Sequence, residues 1–139
     1  MQPMPSDDPA PPRVFLVDDD ARLRDSIREL LMEEGIEVVG EAFDAIGAVQ
    51  YVPGVARAGR LVVVMDVRMP GRVNGLEATR LLLDRCPSLR VLVLSADGSP
   101  GVVTAARQAG ALGVLVKGEP AADLLAAIRR VWALEPVGA

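Results

Sequence analysis

The sequence predicts an α/β fold in which five strand-helix units, (βα)5, build one parallel sheet covered by helices on both faces. Three observations carry that expectation. Short apolar runs alternate strictly with longer stretches of helical periodicity, and right-handed crossovers then leave a doubly wound parallel sheet as the simplest arrangement. Four of the five apolar runs are continuous rather than alternating, as strands buried on both faces should be. The 139 residues match one domain and leave no room for a second.

The first strand is Val14-Phe15-Leu16-Val17. A helix over residues 21–32 follows, with Leu23, Ile27, Leu30 and Leu31 recurring on one face and Arg22, Arg24, Arg28 and Glu29 on others. Gly35 supplies its stop. Val38 and Val39 with their flanks form the second strand, and 45–51 the second helix. Residues 61–65 form the third strand. Asn74, with Glu77 three positions on, resembles a capping box and starts a helix over 75–85. The fourth strand is 91–94 and the fourth helix 100–109, ended by Gly110. The fifth strand is 114–116, and Pro120 suits the first position of a helix over 120–133. Residues 1–12, rich in Pro with Asp7 and Asp8, lack the basic start and apolar centre of a signal peptide and read as a disordered leader. Residues 134–139 read as the start of a linker or a C-terminal tail. Periodicity leaves the order of the strands in the sheet open.

Composition excludes several functions. With no histidine, an imidazole triad, a histidine metal site and a phosphohistidine carrier are ruled out. A net charge of −4 and a pI near 4.8 oppose binding of DNA through this domain, because phosphate neutralisation dominates such contacts. Aromatic residues make up only 3%, too few for a base-stacking platform. Cys86 stands alone, so neither an internal disulfide nor a cysteine zinc site is available, and a reducing, cytoplasmic setting is expected. No apolar run approaches the roughly 20 residues of a membrane span, and no membrane partner is expected.

In open parallel sheets, ligands bind beyond the carboxyl ends of the strands. There the sequence places Asp18, Asp19 and Asp20 after the first strand, Asp66 at the end of the third, Ser95 at the end of the fourth and Lys117 after the fifth. Asp20 reads as the cap of the first helix. Asp66 is the most telling, since a charge directly ending a run of valines gains nothing from packing and is tolerated only when paired or metal-bound.

These segments together resemble the receiver domains of two-component response regulators. The resemblance covers residues 13–133 and rests on Val17-Asp18-Asp19, on Asp66-Val67-Arg68-Met69-Pro70 followed by Asn74-Gly75-Leu76-Glu77-Ala78, on Val91 to Ala96, and on Gly110-Ala111 through Val116-Lys117. It implies a flavodoxin-like strand order 2-1-3-4-5 and a phosphorylation-dependent switch with Asp66 as phosphoacceptor. It also implies Mg2+ or Mn2+ held by Asp19, Asp66 and the Arg68 backbone carbonyl, with Asp18 acting through water; oxygen donors of this kind suit a hard cation. Lys117 would pair with Asp66 before reaction and with a phosphoryl oxygen after it. Ser95 and Ala96 are implied as phosphoryl-binding and switch residues, the Ser95 hydroxyl bonding another phosphoryl oxygen and drawing in the loop that follows. The donor would be the phosphohistidine of a partner sensor kinase, or a small phosphodonor, since this chain has no histidine.

The chain departs from the family pattern in three places. Val114 stands where an aromatic switch residue is usual, so a coupled aromatic rotation is excluded. Gly118 replaces the proline that commonly follows the lysine, removing the reason for a cis bond. The segment between Pro70 and Gly75 is one residue longer than the common form. Arg68 and Asp97 are expected to flank the mouth of the site and to form an ion pair across it. Gly118 and the tail through Trp132 and Pro136 resemble receivers that precede a helix-turn-helix DNA-binding domain, so DNA would be reached only through a domain beyond these 139 residues; homodimerisation is a further expectation. Three other readings are weaker. A stand-alone receiver, or a receiver-like interaction module that is never phosphorylated, would share every feature. An aspartate-nucleophile phosphatase would place Thr or Val where Arg22 stands. A flavin or nucleotide binder would have a glycine-rich loop after the first strand.

Overall fold

A computed structural model describes residues 10–134. The chain forms β1 (Arg13–Val17), α1 (Ala21–Glu33), β2 (Glu37–Ala42), α2 (Ala45–Ala56), β3 (Val62–Asp66), α3 (Gly75–Arg85), β4 (Arg90–Ser95), α4 (Pro100–Ala109), β5 (Gly113–Val116) and α5 (Ala121–Ala133). The five strands pair in parallel in the order β2-β1-β3-β4-β5, the order the resemblance implies. Of the expected leader, residues 1–9 lie outside the described part, as do 135–139 of the expected tail; within it, the Pro12 carbonyl already accepts from Glu37 N–H at 3.2 Å.

Each face of the sheet carries its own core. Phe15, Val17, Val63, Met65, Val91 and Val93 pack with α2, α3 and α4 on one side. Val14, Leu16, Val62, Val64, Leu92 and Leu94 pack with α1 and α5 on the other. The alternation of neighbours between the two sets is the period of two that a strand imposes, and the continuous apolar runs follow from both faces being covered. At the sheet edge, β2 is the least apolar strand, and its pairing with β1 slips between Val14 and Phe15 so that Phe15 meets Gly40. A Cβ on Gly40 would lie 2.5 Å from the Phe15 ring, so the glycine makes room for a core aromatic.

Several strand and helix ends shift by a single residue from the sequence expectation, β3 by one at each end so that it takes in Asp66, and the boundaries of α2 and α5 have a clear physical cause. The second helix does not stop at Tyr51; it runs through Pro53 to Ala56. Proline removes one intrahelical hydrogen bond, but Val52 is fully buried, and Val55 and Ala56 also pack on the core, so tertiary packing carries the helix past it. Pro120 is the N-cap of α5 rather than its first residue, with ψ 146°. Asp20 caps α1 as expected, accepting from Arg22 and Leu23 N–H, and Gly110 ends α4 at φ 104°.

Candidate functional site

The carboxyl ends of β1, β3, β4 and β5 open on one cleft of about 520 Å3 lined by Asp19, Asp20, Asp66, Val67, Arg68, Ser95, Ala96, Asp97 and Lys117. Asp66 ends a strand buried throughout and is itself only 4% exposed. Asp18 is equally buried, and Asp19 beside it is exposed. One carboxylate oxygen from each of Asp18, Asp19 and Asp66 lies within 4.8 Å of the others. Lys117, whose N–H donates to the Ser95 carbonyl at 2.7 Å, sets its ammonium 3.1 Å from Asp66 Oδ1 and 3.1 Å from Asp18 Oδ2.

One cation therefore serves two buried carboxylates, with a third anion close by. Burial holds Asp66 above the usual carboxylate range; the Lys117 hydrogen bond opposes the rise, while the Asp18 and Asp19 charges add to it. Burial alone would lower the Lys117 ammonium, but its bonds to Asp18 and Asp66 outweigh this and hold it above its ordinary value. Asp18 Oδ1 accepts from Asp20 N–H at 2.8 Å, whereas the buried Oδ2 is met, among the described residues, by the Lys117 ammonium alone. An all-oxygen donor set of three clustered carboxylates sharing a single ammonium, and so carrying an excess of negative charge, fits a hard divalent cation.

The loops close this arrangement from both sides. Gly75 N–H donates to the Val67 carbonyl at 2.9 Å, folding the start of α3 against the end of β3 so tightly that a Cβ on Gly75 would lie 1.8 Å from the Asp66 carbonyl oxygen. Asn74 caps that helix, accepting from Leu76 and Glu77 N–H. Ser95 is buried, and its hydroxyl donates to the Asp97 carbonyl at 2.9 Å and accepts from Asp97 N–H at 3.1 Å. Val114, where an aromatic is usual in the family, packs on the core.

The expected ion pair across the mouth is not formed. Arg68 and Asp97 both line the cleft, but the Asp97 carboxylate accepts from Ser99 N–H at 2.8 Å. That hydrogen bond is the main reason Asp97 is held below its ordinary value, and Arg68 contributes least, as a more distant charge. A donor two residues away costs less entropy to hold than an exposed long-range pair. Sequence reasoning also missed the Asp18–Lys117 contact and a set of charges behind the acidic turn, Arg24, Arg28 and Glu41. Their meeting depends on β2 pairing with β1, and no local motif announces it.

A family model for the response regulator receiver domain matches residues 14–129. The chain belongs to this family. The receiver is 37% identical over 120 residues to the transcriptional regulatory protein DegU of Brevibacillus brevis, covering 86% of this chain and 49% of that protein. It is 38% identical over 125 residues to the response regulator GacA of Pseudomonas viridiflava, covering 87% and 55% respectively. The signal receiver domain of the response regulator NarL from Mycobacterium tuberculosis is similar in structure, with a TM-score of 0.79 and 30% identity over 89% of this chain and 98% of that one. The receiver thus spans about half the length of the curated relatives it matches.

Proposed function

We infer that the receiver is a phosphorylation-dependent switch in which Asp66 takes a phosphoryl group from the phosphohistidine of a partner sensor kinase. The observation that carries this reading is a buried carboxylate at a strand end, 3.1 Å from the sole lysine of the chain and clustered with two further carboxylates. In the reaction an Asp66 carboxylate oxygen attacks phosphorus, the phosphorus–nitrogen bond to the donor imidazole breaks, and the imidazole leaves with its electron pair and takes up a proton. Mg2+ or Mn2+ at Asp19, Asp66 and the Arg68 carbonyl, with Asp18 through water, would offset the charge of the incoming phosphoryl oxygens. Lys117 supplies the fixed positive charge from the protein side and can follow a phosphoryl oxygen as Asp66 becomes an acyl phosphate.

Ser95 gives the switch its second state. Its hydroxyl is engaged with the Asp97 backbone, so binding a phosphoryl oxygen requires it to leave the Asp97 carbonyl, which loosens the loop leading into α4. Added phosphate charge biases a two-state surface in this way, and with Val114 in place of an aromatic the displacement of loop and helix is the output. The chain acts as a phosphoacceptor rather than as an enzyme on a separate substrate. In the whole protein we place it in the cytoplasm, ahead of a DNA-binding domain, by analogy with the relatives it half covers.

Incubation with acetyl phosphate and Mg2+ followed by intact-mass measurement tests the reading. A single phosphate adduct that disappears in Asp66→Asn is expected. A wild-type chain that stays unmodified, or an adduct that persists in Asp66→Asn, would overturn it, the first result favouring a receiver-like interaction module.

A further inference from the structure

Arg24 lies behind the acidic turn, in the first turn of α1, and does not line the cleft. Its guanidinium reaches in two directions: Nε donates to Glu41 Oε1 at 3.2 Å, and Nη1 donates to the backbone carbonyl of Asp18. The second Glu41 oxygen accepts from Arg28 Nη1 at 2.5 Å, and Arg28 Nη2 donates to Asp25 at 2.7 Å. Two guanidiniums and two carboxylates thus form a network of zero net charge between α1 and β2. This neutrality matters, because a bare guanidinium so near the cleft would repel a divalent cation, whereas one matched by Glu41 retains its directed donors and loses most of its long-range field.

The carbonyl that Arg24 holds belongs to the peptide joining Asp18 to Asp19. Asp18 is anchored at every other group as well: its N–H donates to the Ala42 carbonyl at 3.1 Å, Oδ1 accepts from Asp20 N–H, and Oδ2 faces Lys117. Asp19 is not. It is exposed, and among the described residues no hydrogen bond holds its carboxylate, so its direction is inherited from the backbone before it. We propose that Arg24 is a positioning residue, which fixes the plane of the 18–19 peptide and thereby aims the Asp19 carboxylate at the divalent cation. The proposal rests on the phosphoacceptor reading above, in which Asp19 is a direct ligand.

Calorimetric titration of Mg2+ into the full chain at fixed ionic strength, with folding of each variant checked by circular dichroism, decides it. Removing an outer partner that orients a ligand typically weakens metal binding by 10- to 100-fold, so Arg24→Gln is expected to weaken Mg2+ about tenfold or more. Arg28→Gln deletes the same charge and a bond to the same Glu41 without touching Asp18, and is expected to change affinity by no more than about twofold, well short of that outer-partner effect. Arg24→Lys keeps the charge but not the fork that reaches both acceptors; it should stay weakened, and it decides the matter if Arg24→Gln does not fold. Unchanged or tighter binding in Arg24→Gln overturns the proposal, tighter binding being the result if Arg24 acts only as a repelling charge. Equal weakening in the Arg24 and Arg28 variants also overturns it, since that marks a general loosening of α1 from β2. The two readings fail separately: a wild-type chain phosphorylated on Asp66 beside an Arg24→Gln variant of normal Mg2+ affinity removes only the positioning role, and a wild-type chain that neither binds Mg2+ nor takes up phosphate removes both.

Discussion

The two edges of the sheet treat charge in opposite ways. At the carboxyl edge, the carboxylates of Asp18, Asp19 and Asp66 cluster around one ammonium, Lys117, which contacts Asp18 and Asp66. At the amino edge stand arginines at or just before the strand starts, and they donate to backbone carbonyls. Arg13 Nη1 reaches the Arg60 carbonyl at 3.1 Å, Arg60 Nη1 reaches that of Trp132 at 3.2 Å, and buried Arg90 reaches Leu134 at 2.7 and 3.2 Å and Ser88 at 3.2 Å. The last carbonyls of a helix have no partner within it, and guanidiniums near its negative end satisfy them and oppose its dipole. One edge therefore holds anions short of cations and is poised to bind; the other joins cations to the exit of α5 and serves stability.

Removing the shared cation should break this division most severely. Lys117→Met leaves Asp18 and Asp66 facing each other without a positive charge, and the rate of phosphate uptake from acetyl phosphate, followed by intact mass, is expected to fall about 100-fold, the usual effect of losing one preorganised electrostatic donor. At the opposite edge, Arg90→Met removes a guanidinium that is 3% exposed and holds the carbonyls of Leu134 and Ser88. The expected loss is about 2–4 kcal/mol in denaturant unfolding, with the rate of phosphate uptake unchanged. If Arg90→Met slowed uptake as much as it lowered stability, the two edges would not be separable. A smaller change is expected from Arg60→Gln, which loses one carbonyl contact and a guanidinium 5.2 Å from the centre of the Trp132 ring. About 1 kcal/mol is expected at an exposed position, and a shift in the emission of Trp132, the only tryptophan, would report it directly.

What was legible in the sequence follows the same division. The carboxyl edge could be read because its residues stand alone against an apolar background: Asp66 after four hydrophobic residues of β3 and Lys117 directly after β5 are conspicuous without knowing the strand order. Helices α3 and α4 were legible to the residue, because Asn74 and Gly110 supply local start and stop chemistry. The end of α2 was not, since the signal at Pro53 is local and the forces that override it, Val52, Val55 and Ala56 on the core, are tertiary. The arginines of the amino edge and the Arg24–Glu41 pair were equally hidden, because their partners are backbone carbonyls or residues brought close only by the sheet pairing.

Asp97 offers the finest test, at a point where the open edge behaves like the closed one. Its carboxyl is held below its ordinary value of 3.8 first by the Ser99 backbone N–H, then by the Ser99 side chain, and least by Arg68. For an acid lowered by folding, the stabilisation is present above the ordinary value and is lost as pH falls through the lower folded value, so the β4–α4 loop should loosen only in strong acid. Ser99 has φ −61°, which proline accepts, so Ser99→Pro removes both donors with little backbone change. Carboxyl-carbon NMR titration should then return Asp97 towards its ordinary value, while Arg68→Ala should move it much less. The reverse order would reinstate the ion pair across the mouth and give Arg68 a direct hold on the loop that follows Ser95. The expected order instead means that a donor two residues away has captured the Asp97 carboxylate before the opposite loop can compete for it.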